Sequence, residues 1–337
     1  MKIFNLAFLF LFLFSFAADQ ALEFPESSPL PDSQQKQKTN KAAAANIIFK
    51  STDGGQTWQD ISEGLPENLQ AEDFQRDGFF ANDSGVYVSA GNGIYHSKPN
   101  STPPFWKKEI FPGNQSSIAP GNTRSFAYNW NGHFLQKING TNIWSPMYTN
   151  FQIKGIRNVF ETAGGTVFIG CETGLFKSTN HGKTWKEVLT EGWIMKLVES
   201  NGVLMATSRS GIIMSTDEGE NWDIVLHEGG VGIDVESING GFAAITYNTE
   251  SETRRVRTTY DGGKTWQPID AGLKGDQRTA SIIQVGENFF CGHPDGIYRS
   301  SDKGKTWKLL LPAIDNKVFN LFVSGNVIYA IPRSGGC

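Results

Sequence analysis

The sequence predicts an all-β fold built from repeated four-stranded antiparallel units. Of its 337 residues, 37 are glycine and 12% are aromatic. Glycine-containing turns between short apolar and β-branched runs are typical of proteins with many short strands. A motif ending in tryptophan occurs five times, and the tryptophans of successive units are spaced by roughly 40 residues, the usual length of a four-stranded repeat.

The motif first occurs at 51–58, and its other copies lie at 178–185, 215–222, 259–266 and 301–307. Each copy has Asp or Asn, a glycine two residues later, and Thr or Asn immediately before Trp. We expect the Asp or Asn oxygen to accept hydrogen bonds from N–H groups two or three residues on, and the glycine to adopt a positive φ. The motif therefore predicts a hairpin turn whose Trp packs against the neighbouring unit. The residues assigned to this structural role are Asp53, Trp58, Asn180, Trp185, Asp217, Trp222, Asp261, Trp266, Asp302 and Trp307.

Each unit is predicted to be a meander of strands a to d, with the motif at the turn between c and d. One unit has a longer segment between strands b and c, at 247–257. Two units lack the motif but keep the strand-d tryptophan, at Trp106 and Trp144. The units with a motif lie at 156–189, 194–226, 233–269 and 280–311, and those without it at 85–110 and 123–148.

The two ends of the repeat array complement each other. After the last full unit, 318–323 and 327–331 supply strands a and b, whereas the array begins with strands c and d at 47–50 and 58–61. A single blade formed from both ends pairs the open strand edges with each other and closes the ring. The sequence therefore predicts a seven-bladed β-propeller over 46–337, closed by a blade that the N- and C-terminal strands share.

The N-terminal residues differ from the repeats. Residues 1–18 read as a secretory signal peptide, because Lys2 precedes an apolar run that ends in small residues. A transmembrane anchor is the alternative, but the run is shorter than the roughly 20 apolar residues that a span needs. Residues 19–45 read as a flexible linker. We therefore expect an exported protein, secreted, periplasmic or cell-surface associated, with no integral membrane segment after cleavage.

Several classes of function are disfavoured by composition. A net charge of −4 argues against a nucleic-acid partner. No zinc-type spacing, phosphate-binding glycine loop or calcium loop is present, so we expect neither a metal nor another cofactor. Cys171 and Cys291 fall on strands b of distant units and should not pair; Cys337 is the one plausible partner for Cys291, and a free buried thiol is the favoured alternative.

The pattern Ser-x-Asp-x-Gly-x-Thr-Trp at a c–d hairpin resembles the Asp-box, or BNR, repeat, and the resemblance covers essentially all of 46–337. It implies a propeller of the sialidase-like superfamily. A single seven-bladed ring with an exported N-terminus is similar in architecture to the photosystem II stability and assembly factor. The repeat also occurs in sialidases, xyloglucanase-type glycosidases and sortilin-type receptors, so it implies no single function.

The sialidase resemblance implies three arginines, the first in an Arg-Ile-Pro-type motif ahead of the first box. This chain has no arginine before Arg76 and neither Arg-Ile-Pro nor Arg-Leu-Pro. A different arginine cluster stays open as an alternative. The assembly factor implies an arginine-rich partner surface, and the one local basic cluster here, 254–257, is interpreted primarily as a solvated hairpin.

A ligand is expected on the face opposite the box turns, where the b–c and d–a loops gather. The pair His293 and Asp295 suits acid–base chemistry, but Asp-Gly is also an ordinary turn pair, and the turn is favoured. Trp130 and Trp193 suit stacking on a ligand, and packing is their commoner role. The candidates for the ligand face are Glu172, Arg209, Arg255, His293, Asp295, Arg333, Trp130 and Trp193, with Asp73 nearby.

The favoured interpretation is a monomeric, non-catalytic recognition scaffold that binds a protein partner or an extracellular glycan through the b–c and d–a loops. One alternative is a glycoside hydrolase of sialidase-like fold with a non-standard active site. A second alternative is an assembly or stability factor for a membrane complex. The sequence assigns no catalytic residue.

Overall fold

The computed structural model describes residues 46–67, 69, 78–82, 85–90, 93–98, 100–109, 117–141, 143–149 and 155–334. The predicted signal peptide and linker, Asp73 and Cys337 lie outside the described residues. Within these ranges, no helix is long and apolar enough to cross a membrane.

The described residues form 28 strands. They are β1 (Phe49–Ser51), β2 (Gln59–Asp60), β3 (Phe79–Asn82), β4 (Gly85–Ala90), β5 (Gly93–Ser97), β6 (Lys107–Lys108), β7 (Ser117–Pro120), β8 (Arg124–Tyr128), β9 (Phe134–Ile138), β10 (Trp144–Pro146), β11 (Ile156–Glu161), β12 (Val167–Cys171), β13 (Leu175–Ser178), β14 (Lys186–Leu189), β15 (Leu197–Ser200), β16 (Val203–Ser208), β17 (Gly211–Ser215), β18 (Asp223–Leu226), β19 (Gly229–Ile238), β20 (Gly241–Asn248), β21 (Thr253–Thr259), β22 (Gln267–Pro268), β23 (Ser281–Val285), β24 (Asn288–His293), β25 (Gly296–Ser300), β26 (Lys308–Pro312), β27 (Val318–Ser324) and β28 (Val327–Arg333).

The strands are arranged in seven four-stranded antiparallel sheets, which we number as blades. Blade 1 has the order β27-β28-β1-β2, and blades 2 to 7 are β3–β6, β7–β10, β11–β14, β15–β18, β19–β22 and β23–β26. The first strand of each blade contacts that of the next, from β27 through β3, β7, β11, β15, β19 and β23 back to β27. The predicted seven-bladed β-propeller is therefore confirmed.

Blade 1 closes the ring as the sequence predicted. Strand β1 pairs antiparallel with β28 through Phe49–Ala330, Lys50–Tyr329 and Ser51–Ile328. Strand β2 then pairs with β1 through Phe49–Asp60 and Lys50–Gln59. Strands c and d of this blade thus come from the first described residues, and strands a and b come from the last.

Two details of the strands differ from the sequence prediction. The units predicted to begin at 85 and 123 each have an additional preceding strand, β3 and β7, neither of which shows a clear apolar alternation. The long b–c segment of blade 6 is not a loop, because its residues extend strands β20 and β21, which pair from Phe242–Thr259 to Asn248–Thr253.

A hydrophobic core lies between each pair of neighbouring blades, and each of the seven cores includes one strand-d tryptophan. Trp222, for example, packs edge-on against Phe168 of the preceding blade, with ring centroids 6.3 Å apart. Trp106 and Trp307 also donate their indole N–H to the backbone of the preceding blade. The tryptophans in the seven cores are Trp58, Trp106, Trp144, Trp185, Trp222, Trp266 and Trp307.

The box turn is held by a hydroxyl, a carboxylate and two positive-φ residues. In the first box, Ser51 Oγ donates to Asp53 Oδ1 (2.9 Å) and accepts from the Gly55 N–H (2.8 Å). Thr57 donates its N–H to Asp53 Oδ1 (3.0 Å) and its hydroxyl to Oδ2 (2.6 Å). Gly54 and Gly55 have φ of 69° and 80°, a conformation that glycine adopts without strain.

The donor expected two or three residues after the Asp lies mainly four residues after it. The turn is longer than the sequence prediction assumed: the Thr before Trp provides two donors to the carboxylate, in addition to the Ser51 hydroxyl. In the fifth box the hydroxyl belongs to Ser300, one residue before the predicted start, because Ser300 Oγ contacts Asp302 (2.8 Å) and Gly304 N (2.8 Å).

Asp261→Asn is expected to preserve the fold and to weaken acid destabilisation. Hydrogen bonds from Thr265 hold the pKa of Asp261 at about 2, below its usual 3.8. Its contribution to stability is therefore present above pH 3.8 and is lost as pH falls toward 2. Asn180 already makes the same contacts with Thr184, so Asn fits the turn. Thermal unfolding of both proteins between about pH 4 and pH 2 measures the effect; an equal loss on acidification would contradict it.

Candidate functional site

The b–c and d–a loops of blades 3, 4 and 5 are joined by backbone hydrogen bonds on the rim opposite the box turns. Gly155 donates its N–H to Trp130 O (2.9 Å), and Glu172 donates to Gly155 O (3.1 Å). In the next blade, Trp193 donates to Cys171 O (3.2 Å) and Arg209 donates to Gly192 O (3.3 Å). These bonds hold neighbouring loops in a fixed arrangement.

Four side chains from these loops and from β11 form an alternating series, which we call the Trp–Arg stack. The Arg157 guanidinium lies over the Trp130 ring (5.4 Å) and over the Trp193 ring (5.3 Å). The Arg209 guanidinium lies over the Trp193 ring (5.5 Å). At such distances a guanidinium is attracted to the face of an indole. The structure therefore brings together three predicted candidates, Trp130, Trp193 and Arg209, around Arg157.

Glu172 is the fourth predicted candidate at this position. One of its carboxylate oxygens forms an ion pair with Arg157 Nη2, and its side chain keeps 37% of its surface exposed. The Arg157 Nε is buried and has no hydrogen-bond acceptor among the described residues. Arg157 therefore holds two aromatic rings and one carboxylate at once.

Trp193 is held in a backbone conformation that is unusual for a bulky residue, with φ of 69°. Gly192 precedes it, and a Cβ at that position would lie 1.5 Å from Glu172 O. The backbone at Gly192 thus packs directly against the loop that contains Glu172. Trp193 then adopts a left-handed backbone conformation, which places its indole in the stack. A strained residue that is held by its surroundings is typical of a functional site.

Arg157 was not among the residues predicted from the sequence. It is the second residue of β11, and an arginine within a strand carries no local signal for a loop site. Its position two residues after Gly155, where a d–a loop ends, is the signal that would have indicated it. The stack ends at Trp130, which is 50% exposed, and at Arg209, which is also exposed.

His293 and Asp295 form a turn at the end of β24. His293 is buried; the Asp295 N–H donates to its Nδ1 (3.2 Å), and its Nε2 lies 2.8 Å from Lys274 O. Nδ1 is therefore the acceptor and Nε2 carries the proton. The ring links two backbone segments, which agrees with the turn alternative and leaves neither nitrogen facing a ligand.

Arg255 and Arg333 were expected on b–c loops, and both lie in strands. Arg255 is in β21, because β20 and β21 extend the hairpin, and Arg333 is the last residue of β28. Arg255 Nε contacts Asp270 Oδ2 (2.7 Å), and Arg257 contacts Asp270 (3.3 Å) and Glu228 (2.6 Å). Arg254 is buried and donates to Thr279 O (2.8 Å). The basic cluster at 254–257 is thus internally paired and is not an open positive surface.

A second polar group lies in a cavity on the ring axis. The cavity has a volume of about 660 Å³ and is lined by the innermost strands of all seven blades. Lys196 Nζ contacts Asp234 Oδ1 (3.2 Å) and also a Glu236 carboxylate oxygen. The side chain of Asp234 is 5% exposed, and those of Glu236 and Lys196 are 24% and 30% exposed. Among the described residues, no group of His, Cys, Asp and Glu suits a metal ion.

Glu236→Gln is expected to remove a pH dependence of stability between about pH 4.5 and 7. Burial, opposed by the Lys196 ammonium and reinforced by Asp234, raises the pKa of Glu236 from 4.5 to about 7. The group therefore contributes stability below pH 4.5 that is lost as pH rises to about 7. Chemical denaturation should show that the free energy of unfolding of the variant, relative to that of the wild type, increases as pH rises across this interval. A constant difference between the two proteins would contradict the prediction.

The cysteines that the structure describes are not reactive. Cys171 and Cys291 are buried and free, as expected from their strands. Burial raises the pKa of the Cys171 thiol to about 12, and it raises the pKa of Cys291 as well. Both thiols are therefore protonated at neutral pH and serve packing.

Comparison with known proteins identifies the repeat. Residues 49–60 match the BNR/Asp-box repeat family, and residues 297–310 match the BNR-Asp box repeat family. Both segments contain the strands around a box turn. No curated protein sequence matches the chain.

Solved structures share the fold at low sequence identity. An ancestral GH74 enzyme is 17% identical with a TM-score of 0.58, covering 79% of this chain and 45% of its own. YCF48 bound to D1 peptide is 12% identical with a TM-score of 0.51, covering 76% and 92%. YCF48 from Cyanidioschyzon merolae is 13% identical with a TM-score of 0.54, covering 75% and 93%.

This chain spans less than half of the GH74 protein, and identities this low show a common fold and not a common function. The five boxes, the two matched repeats and the seven-bladed ring together identify the chain as an Asp-box (BNR-repeat) β-propeller.

Proposed function

We propose that this chain is a recognition scaffold that binds a protein partner through the face formed by its b–c and d–a loops. The observation that carries the proposal is the Trp–Arg stack, whose Trp130 end is 50% exposed. Trp and Arg are the side chains that most often dominate the binding energy of protein interfaces. Here they are positioned by a backbone network across three blades, so little ordering is needed on binding.

A protein partner suits the stack better than a glycan does. Sugars bind to aromatic rings with a free face, but two guanidinium groups already lie over Trp193. The stack offers a cation, a carboxylate and the exposed half of the Trp130 side chain, which is the mixture of groups found in protein interfaces. The same fold occurs in YCF48, which has been solved bound to the D1 peptide.

We also propose that the protein acts after export. The proposal depends on the sequence of residues 1–18, whose basic start, apolar run and small residues are typical of a signal peptide. Mass spectrometry of the N-terminus of the mature protein tests it. A mature chain that begins near Asp19 supports export, and one that retains residues 1–18 contradicts it.

Photocrosslinking from the two rims of the ring tests the recognition face. A benzophenone amino acid at Thr173, exposed in a b–c turn beside Glu172, should crosslink a specific protein in extracts of the source cells. The matched control carries it at Lys264, which is exposed in a box turn on the opposite rim. Crosslinking from Lys264 alone, or equally from both positions, would contradict the proposal.

If the crosslinked protein belongs to a membrane complex, the crosslink favours the alternative of an assembly or stability factor for that complex. The identity of the partner therefore decides between a soluble and a membrane-bound target, and the same face serves both.

Glycoside hydrolysis is the second candidate, favoured by Asp234 and Glu236 in the axial cavity. Two neighbouring carboxyl groups, one with a raised pKa, are what such hydrolysis requires. However, both carboxylates are already paired with the Lys196 ammonium. Binding of a protein partner is therefore the better supported of the two functions.

A fluorogenic sialoside and glycoside panel, run on the wild type and Glu236→Gln, tests the second candidate. Turnover that the substitution abolishes would replace the recognition proposal with an enzyme. Absence of turnover in the wild type, or turnover that the variant retains, removes Glu236 as a catalytic residue.

A further inference from the structure

The two ends of the Trp–Arg stack are chemically different. The series runs indole, guanidinium, indole, guanidinium, from Trp130 through Arg157 and Trp193 to Arg209. An alternating series leaves an aromatic ring at one end and a cation at the other. Each end therefore has its own preferred ligand group.

The Trp130 end suits a cation. Arg157 lies over this ring, yet half of the Trp130 surface is still exposed. Indole is the aromatic side chain that attracts cations most strongly. Glu172 flanks the same position, because a Cβ on Gly155 would contact both Glu172 (3.0 Å) and Trp130 (3.5 Å). A basic group on Trp130 would therefore also approach a carboxylate.

The Arg209 end suits a carboxylate. Its guanidinium is exposed, and no carboxylate or carbonyl among the described residues accepts a hydrogen bond from it. The neighbouring Glu191 carboxylate is hydrogen-bonded to Ser210 Oγ. An arginine that is fixed against a ring and has free N–H donors can bind a carboxylate through two parallel hydrogen bonds.

The distance between the two ends sets the size of the ligand. Each contact within the stack is between 5.3 and 5.5 Å. The ends are therefore no more than roughly 16 Å apart, which an extended peptide spans with about five residues at about 3.3 Å each.

We propose that the partner presents a short extended segment whose basic side chain stacks on Trp130 and whose acidic side chain binds Arg209, within about five residues of each other. This inference rests on the proposed recognition function and defines the chemistry of the recognised segment.

Fluorescence anisotropy with labelled peptides tests the inference. The probes are decapeptides of Gly and Ser that carry one Arg and one Glu at separations of one to eight positions, in both orders. We expect binding to peak at separations of about five or fewer and to weaken by roughly fivefold in Trp130→Ala and in Arg209→Gln. Tyr260→Ala is the matched control, since Tyr260 is 49% exposed on the opposite rim.

A charge swap distinguishes the two ends. Arg209→Glu should lose the Glu-bearing probe and gain the probe in which that Glu is replaced by Lys. Binding that is insensitive to both Trp130→Ala and Arg209→Gln, or that Tyr260→Ala weakens equally, overturns the inference.

A failure of this inference can be told apart from a failure of the proposed function. If the probes do not bind but Thr173 still crosslinks a partner, the segment chemistry is wrong and the recognition face stands. If Thr173 does not crosslink any partner, the proposed function fails whatever the peptides do.

Discussion

Trp58→Ala is expected to destabilise the ring by about 3–5 kcal/mol and by more than Trp222→Ala does. Trp58 packs with Phe290 and Leu310 of blade 7, and its indole N–H donates to Gly55 O (3.0 Å). The substitution removes a large side chain from the core between blades 7 and 1. It thereby loosens the box that anchors β2.

The larger effect at Trp58 follows from the way blade 1 is built. In blades 4 to 7, strands b and c are joined by a turn, whereas β1 is held to β28 only by pairing and packing. Loosening the first box therefore frees β1 and β2 and opens the ring. Urea denaturation of both variants measures the difference. Equal losses of stability at Trp58 and Trp222 would contradict closure through a shared blade.

Gly192→Ala is expected to disrupt the loop that carries Trp193 and to cost about 3 kcal/mol or more of stability. The new Cβ would lie 1.5 Å from Glu172 O and 2.3 Å from its carbonyl carbon. Backbone atoms cannot rotate away as a flexible side chain can, so the two loops must separate. Separation breaks the Arg209-to-Gly192 hydrogen bond and displaces the Trp193 ring from the stack.

Gly164→Ala is the matched control for this substitution. A Cβ at Gly164 would meet no atom closer than Thr162 Oγ1 at 3.8 Å, which is ordinary contact. Thermal unfolding and near-ultraviolet circular dichroism of the tryptophans should change in Gly192→Ala and stay at the wild-type values in Gly164→Ala. A Gly192→Ala protein with wild-type stability and spectrum would show that the two loops do not pack as described.

The repeat architecture was predictable because the box motif occurs five times in the sequence. The box turn needs an Asp or Asn, a glycine and a Trp at fixed spacing, so each copy reports the same hairpin independently. Strands β3 and β7 were missed because their blades lack the box and their residues do not alternate. The hydrogen bond from the Thr57 hydroxyl to the box carboxylate was not predicted, because it depends on the three-dimensional path of the turn.

The candidate site was only partly predictable. Position alone placed Glu172, Arg209, Trp130 and Trp193 on one face, and the structure brings these four together. Their role in binding stays a prediction. Arg157 was missed because it lies within a strand, and its side chain contacts rings that are distant in the sequence.

Arg255 was predicted to lie on the wrong kind of element. The sequence suggested a loop, but pairing of Arg255 with Thr246 places it within a strand. Register of this kind depends on the partner strand, which local residue types do not specify.

Calorimetric affinity of the crosslinked partner for three proteins tests the recognition face most directly. The proteins are the wild type, Trp130→Ala and Tyr260→Ala, which remove aromatic side chains of equal exposure, 50% and 49%, from opposite rims. We expect Trp130→Ala to weaken binding by at least about fivefold, and Tyr260→Ala to bind as the wild type does. Unchanged binding in Trp130→Ala, or an equal loss in Tyr260→Ala, would contradict this expectation.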